Sequence, residues 1–285
     1  MTKQDLKTRL DEFIENQELE ELAHKTLVSY RNAVNKFIEF VPDNEEITKT
    51  IVKNWKGSLV EKYKIKSRNQ YIVVVNKFLA FIGYEICCVK QFKEQEKSSL
   101  EDQIEPQEHK RMLRWAKKLD MMEIYYIIKT FAESGARISE LQYFTVEKIE
   151  SNYIKGAYNK GKERTLIIPN ELRRSLKQYC RENKIKTGYI FRSPDPNLKD
   201  DPNRLIDPST VWRQLKKIAK AAKINPNKIH AHAWRHLFAK QCKEAGIELD
   251  ELMDLLGHTD MNTTALYTRT SMKEKRIKLE RLWKK

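Results

Sequence analysis

The sequence predicts a mainly α fold with one small β-hairpin, an α+β chain in two domains. Apolar residues recur at three- and four-residue steps through most of its 285 residues, as the buried stripe of a packed helix requires. One pair of short β-branched and aromatic runs flanks a polar NKGK turn, the pattern of a hairpin. An aperiodic polar stretch, KQFKEQEKSSLEDQIEPQ, separates two such regions, as an exposed connector does.

From Leu6 to about Val89 the chain reads as consecutive amphipathic helices. The stripe Leu27, Tyr30, Val34, Phe37, Ile38 and Val41 stops at Pro42, which cannot continue a helix. A second stripe, Tyr71, Val74, Val75, Phe78, Leu79 and Ile82, closes at Gly83, where a left-handed cap is needed. Both stripes are read as core. Residues 1–97 form the helical first domain, 98–106 the linker and 107–285 the second domain with a C-terminal helix. After Pro106 one helix carries Met112, Leu113 and Trp115, and a more apolar one carries Ile124, Ile127, Ile128 and Phe131 before Gly135 ends it. A further helix is expected to start near Arg137. The hairpin follows in YIKGAYNKGKERTLIIP with Lys160 at its tip, then a short strand in GYIFRS, a Pro- and Asp-rich loop, and helices to the end.

Lys and Arg exceed Asp and Glu to give a net charge of +15, which points to a polyanionic partner, because phosphate neutralisation drives most non-specific nucleic-acid binding. Only about 17 basic against 15 acidic residues fall in the first 97, so roughly +13 lies in the remainder. No stretch of about 18 uncharged apolar residues occurs, and the N-terminus has no apolar signal core. The four cysteines, Cys87, Cys88, Cys180 and Cys242, form no CxxC pair. A reduced cytoplasmic setting, associated with the nucleoid and away from any membrane, is expected.

Four separated segments hold the chemistry-bearing residues. These are SGARISEL with Arg137 and Glu140, NKGKER with Lys160, HAHAWRH with His232 and Arg235, and LGHTDMNTTALYT with His258 and Tyr267. Each is a weak signal alone, since an arginine at a helix start or a basic hairpin tip is usually a salt bridge or a solvated charge. His230, His232 and His236 lie close enough in sequence to suggest a metal, but no carboxylate or cysteine with ligand spacing accompanies them. No metal or other cofactor is called for. His236 reads as a packing or supporting residue. Trp55, Trp115, Trp212 and Trp234 read as core.

In combination and order, the four segments resemble the tyrosine recombinase family of Xer proteins, phage integrases and Cre, over nearly the whole chain. The family has an arginine in a GLRxSEL-like segment, a lysine in a GKGxKER-like hairpin, a HxxR helix and a LGHxxxxTTxxYT segment. The late histidine precedes the tyrosine by nine residues, as His258 precedes Tyr267 here.

The resemblance implies an N-terminal core-binding domain and a C-terminal catalytic domain. Arg137 and Arg235 would hold the non-bridging oxygens of the scissile phosphate, with His258 donating a third hydrogen bond. Guanidinium groups suit this task because they are always charged, planar and matched to phosphate oxygens. Tyr267 would attack phosphorus to give a 3′-phosphotyrosyl linkage and a free 5′-hydroxyl. Unperturbed tyrosine titrates near pH 10, so it needs a base or a positive setting, and His232 is the candidate proton carrier. Lys160 would protonate the departing 5′-oxygen. Glu140 would support Arg137, three residues earlier on one helical face.

By the same analogy Lys25, Thr26, Arg31, Lys66, Arg68 and Asn69 are candidates for DNA contact in the first domain, and Lys162 and Arg164 on the hairpin. The apolar members of the tail helix, Ile277, Leu279, Leu282 and Trp283, would dock on a neighbouring protomer and link a homotetramer on double-stranded DNA carrying specific recombination sites. An accessory DNA-bending protein is a further partner that relatives use.

Glu133 replaces the small or hydroxyl residue many relatives carry before SG, and Ala233 and Trp234 fill the interior of HxxR, changes that bear on packing. The expected role is integration and excision of a mobile element through a Holliday junction, with Xer-like resolution of dimers or cointegrates as the alternative. A type IB topoisomerase and a catalytically silent DNA-binding regulator are the readings from other classes.

Overall fold

The computed structural model describes residues 1, 3–43, 45–93, 103–159, 162–193, 201, 203–257, 276 and 280. The chain divides into two compact units, Met1–Lys97 and Ser98–Lys285.

The first unit contains α1 (Lys3–Leu19), α2 (His24–Phe40), α3 (Lys49–Lys62) and α4 (Ile65–Phe81). The periodic residues form its core, with Val34, Phe37, Val75, Phe78 and Leu79 fully buried. Phe13 meets Phe78 edge to face and Phe37 meets Trp55 likewise, the arrangement aromatic quadrupoles favour. Thr48 caps α3 by accepting the Ile51 N–H at 3.3 Å, and Gly83, at φ +82°, follows α4 in a left-handed conformation. Beyond α4 the chain runs back alongside it. Asn76 bonds both the N–H and the C=O of Val89, and Asn69 does the same to Phe92 at 2.8 and 3.0 Å. These two amides, seven residues apart, satisfy a backbone that has no sheet or helix partner.

The second unit is built around α6 (Met122–Ser134), which buries residues around most of its circumference, as a central helix must. Around it lie α5 (Pro106–Lys118), α7 (Asn170–Glu182), α8 (Pro208–Ala221) and α9 (Ala231–Glu244), with α10 (Leu249–Leu256) packed on α9. Pro106 is the first residue of α5, where its missing N–H costs nothing. Strands β1 (Tyr153–Asn159) and β2 (Lys162–Ile167) form an antiparallel hairpin with one extra residue in β1 between Ile154 and Ala157. Trp55 and Trp234 are fully buried, whereas Trp115 and Trp212, also expected in the core, are half-buried.

Two local expectations are corrected. The segment after Arg137 is a six-residue 3₁₀ helix, Ile138–Tyr143, opened by the Arg137 N–H donating to the Glu140 carboxylate at 2.6 Å. GYIFRS forms no strand. Its residues make one isolated bridge to each neighbouring segment, Tyr189 with Thr145 and Arg192 with Leu205, each flanked by two backbone hydrogen bonds and too short to extend into a ladder.

Candidate active site

Arg137 stands at the entrance to the 3₁₀ helix, just after the C-terminal cap of α6. Gly135 makes that cap at φ +61°, and a Cβ there would lie 2.6 Å from the Phe238 ring. The chain must therefore turn here on a glycine. Glu140 is fully buried and accepts from the Arg137 backbone N–H at 2.6 Å and from its guanidinium at 3.1 Å. The Arg137 side chain stays 20% exposed.

The same carboxylate is held from its other side by Arg164 of β2, through Nε at 3.0 Å and Nη2 at 2.5 Å. Burial raises the Glu140 pKa, but the Arg164 hydrogen bonds and charge, followed by the Arg137 N–H and charge, outweigh it and hold the carboxyl below its ordinary range. The third Arg164 nitrogen, Nη1, donates to the Leu255 carbonyl at 2.6 Å. Arg164 is thus inside the protein, and its expected contact with DNA is corrected: its fork is bound to a buried carboxylate and a helix terminus.

His232 and Arg235 lie one turn apart on α9, with His232 exposed and Arg235 fully buried. The Arg235 guanidinium donates to the Gly135 carbonyl at 2.7 Å and to the Leu256 carbonyl. Two buried arginines, Arg164 and Arg235, therefore satisfy successive orphan carbonyls at the end of α10. Gly257 caps that helix at φ +59°, and a Cβ on it would meet Arg164 Cδ at 2.6 Å. His258, the next residue, and Tyr267 lie outside the described residues, as do Lys160, the side chain of Lys162 and the apolar tail residues Ile277, Leu279, Leu282 and Trp283.

Behind the arginines, Trp234 donates its indole N–H to His109 Nδ1 at 3.2 Å. Burial, then the charges of Lys129 and Lys110, lower the His109 pKa to about 4. His236 is half-buried with Nδ1 3.1 Å from the Gln103 amide. Glu133 forms an ion pair with Lys129 one turn earlier on α6, at 3.0 Å. Among the described residues, no group of three or more His, Cys, Asp and Glu could hold a metal ion, and no helix is long and apolar enough to cross a membrane.

In the first unit Lys25 and Lys66 are exposed and Thr26 lies half-buried in the first turn of α2. Arg31 pairs with Asp11 on the surface, an interaction weak enough for a phosphate to displace. Arg68 donates to the Tyr63 carbonyl at 2.5 Å and to that of Val60, closing the end of α3. The Asn69 amide is committed to Phe92. Arg68 and Asn69 are thus each tied to backbone groups of their own unit while staying partly exposed. One basic residue was not singled out by sequence: Lys36 lies between the hydroxyls of Tyr63 and Tyr71 at 2.8 and 3.0 Å. Those bonds raise its pKa. With Lys25, Val28 and Asn32 it lines a groove of about 550 Å³ on α2. No local pattern could signal it, because its partners are 27 and 35 residues away.

The phage integrase family model matches residues 102–274. Tyrosine recombinase XerA of Pyrococcus furiosus is 29% identical over 95% of this chain and 93% of its own, and that of Saccharolobus solfataricus is 28% identical over 85% and 81%. Among solved structures, a lambda integrase dimer bound to a COC′ core site superposes with a TM-score of 0.74 at 17% identity, covering 94% of this chain and 95% of that one. The Tn1549 transposon integrase in complex with transposon right end DNA gives 0.68 at 17% identity over 99% of both chains. The match spans more than half of the sequence, and the chain belongs to the phage integrase family of tyrosine recombinases.

Proposed function

We propose that the chain cleaves and rejoins DNA at specific sites with Tyr267 as nucleophile, as a tetramer on double-stranded DNA, in the integration and excision of a mobile element. The observation that carries this reading is the network joining all four motif segments. Arg164 and Arg235 connect the Arg137 loop, the HxxR helix and the last carbonyls of α10, directly ahead of His258.

The Arg137 guanidinium is partly exposed beside a fixed carboxylate and offers its remaining donors to a phosphate. Arg235 has no exposed surface, so its phosphate contact requires the site to open when DNA binds. Two guanidinium groups and the His258 imidazole stabilise the charge that builds on the non-bridging oxygens as the Tyr267 oxygen attacks phosphorus. His232 takes the tyrosine proton, and Lys160 gives one to the 5′-oxygen as the P–O bond breaks. The phosphotyrosine then exchanges with the 5′-hydroxyl of a partner strand, and two rounds pass through a Holliday junction. Lys25, Lys66, Arg31 and the side chain of Lys162 supply phosphate contacts that position the duplex. A transposon integrase bound to transposon end DNA shares this fold, which is compatible with mobile-element exchange.

The test is incubation with DNA from the gene's own neighbourhood, without divalent metal, followed by denaturation. A covalent adduct on the 3′ phosphate is expected, and Tyr267→Phe should abolish it. An equal adduct in the variant would remove Tyr267 as nucleophile. Relaxation of plasmids lacking paired sites would favour a type IB topoisomerase instead.

A further inference from the structure

We propose that Arg164 is a charge-balancing positioning residue: it neutralises the buried Glu140 carboxylate so that Arg137 keeps its own positive charge for the scissile phosphate. The inference rests on the reading of Arg137 as a phosphate-holding group. Two guanidinium groups face one carboxylate, so the cluster carries a net charge of about +1. Their exposures divide the roles. Glu140 is fully buried, Arg164 is 7% exposed, and Arg137 is 20% exposed, so the excess charge reaches solvent through Arg137.

The hydrogen bonds divide in the same way. Arg164 engages both carboxylate oxygens, at 3.0 and 2.5 Å, in the strong fork geometry, whereas the Arg137 guanidinium makes one bond at 3.1 Å. Its third nitrogen is fixed by Leu255, so Arg164 cannot turn outward without unpairing a helix carbonyl. Without Arg164, Glu140 and Arg137 become a one-to-one pair. The carboxylate then draws the Arg137 guanidinium inward, and an incoming phosphate meets a neutral cluster.

Charge balance predicts a rescue that a packing role does not. Arg164→Met should slow adduct formation by about tenfold or more and reduce the slope of log affinity against log salt by about 1, because one phosphate contact is lost. Adding Glu140→Gln should restore much of both losses. The amide oxygen still accepts the Arg137 N–H, and no carboxylate remains to neutralise Arg137. Binding is measured in a Tyr267→Phe background and adduct formation with Tyr267 present, and thermal melts establish that each variant folds.

A double variant as slow as the product of the two single losses, with an unrestored salt slope, would overturn the proposal. If Arg164→Met does not fold, Arg164→Lys decides. It keeps the charge without the fork, so an adduct rate within about tenfold of wild type and an unchanged salt slope support charge balance. A folded Arg164→Lys that loses more than about a hundredfold refutes it. Should wild type form no adduct at all, the nucleophile reading fails, while the salt slopes still test the charge argument.

Discussion

Arg235 and Arg164 are interior cations whose partners are largely backbone carbonyls and one carboxylate, and removing either leaves those groups buried without donors. Each such orphan costs about 1–3 kcal/mol. Arg235→Ala strands the carbonyls of Gly135 and Leu256, so its urea midpoint is expected to fall by an amount equivalent to several kcal/mol. Arg235→Lys retains the charge but reaches one carbonyl at a time. It should lose less stability, yet cleavage should still drop by about a hundredfold, as when a fixed transition-state donor is removed. Equal stability of wild type and Arg235→Ala would show that the two carbonyls find other donors. At this scale the sequence was a good guide to residue type and a poor one to direction. The HxxR and SGAR arginines were identifiable from motif order, but NKGKER gave no sign that Arg164 points inward. Its partners lie 24 and 91 residues away.

At the level of elements, the site depends on two helix ends closed by glycines. Gly135 ends α6 against Phe238, and Gly257 ends α10 against Arg164. Both have positive φ, where a side chain costs about 1–2 kcal/mol, and each added methyl would also overlap its neighbour. Gly135→Ala pushes on the half-buried ring of Phe238, away from the Glu140 ion pairs, and should act mainly on the melting temperature. Gly257→Ala pushes on the stem of Arg164 and should separate it from Glu140. Its adduct rate is therefore expected to fall further than its melting temperature alone would explain. A variant whose activity loss vanishes a few degrees below its own melting transition would count against that coupling. The helices themselves were legible, because apolar periodicity is a local property. The 3₁₀ turn after Arg137 was not, because its first turn carries the same N-terminal carboxylate cap as the α-helices α5 and α10.

Across the whole molecule, two half-buried groups are expected to give stability opposite dependences on pH. Burial raises the Glu123 pKa from 4.5 to about 7, against its bond from the Arg192 N–H and the Arg204 charge. The folded state holds that proton where the unfolded chain has released it, so stability falls as pH rises from about 4.5 to about 7. His109 is shifted from 6.5 to about 4, and between these values the unfolded chain binds the extra proton, so stability rises with pH. The two slopes offset each other over much of this range. Glu123→Gln is expected to leave a rise in melting temperature between about pH 4 and 6.5, and His109→Phe a fall up to about pH 7. Unchanged profiles in both variants would show that these groups titrate normally in the folded state. The proposed ring of protomers makes a separate prediction. Deleting residues after Lys273 should impair complete recombination more than single-subunit cleavage, and equal losses in the two assays would refute tail-mediated assembly.

The sequence by itself determined the fold class, the helical stripes, the hairpin and the order of the four motif segments. Those features follow from local periodicity, turn chemistry and spacing along the chain. Only the tertiary structure decided which cations face a partner and which are internal. It turned Arg164 onto Glu140 and Leu255, committed Asn69 and Arg68 to backbone, and tied Arg235 to two helix ends. It also set Lys36 between two tyrosines. A side chain's direction depends on groups distant in sequence and brought near by packing, and no window of adjacent residues carries that information.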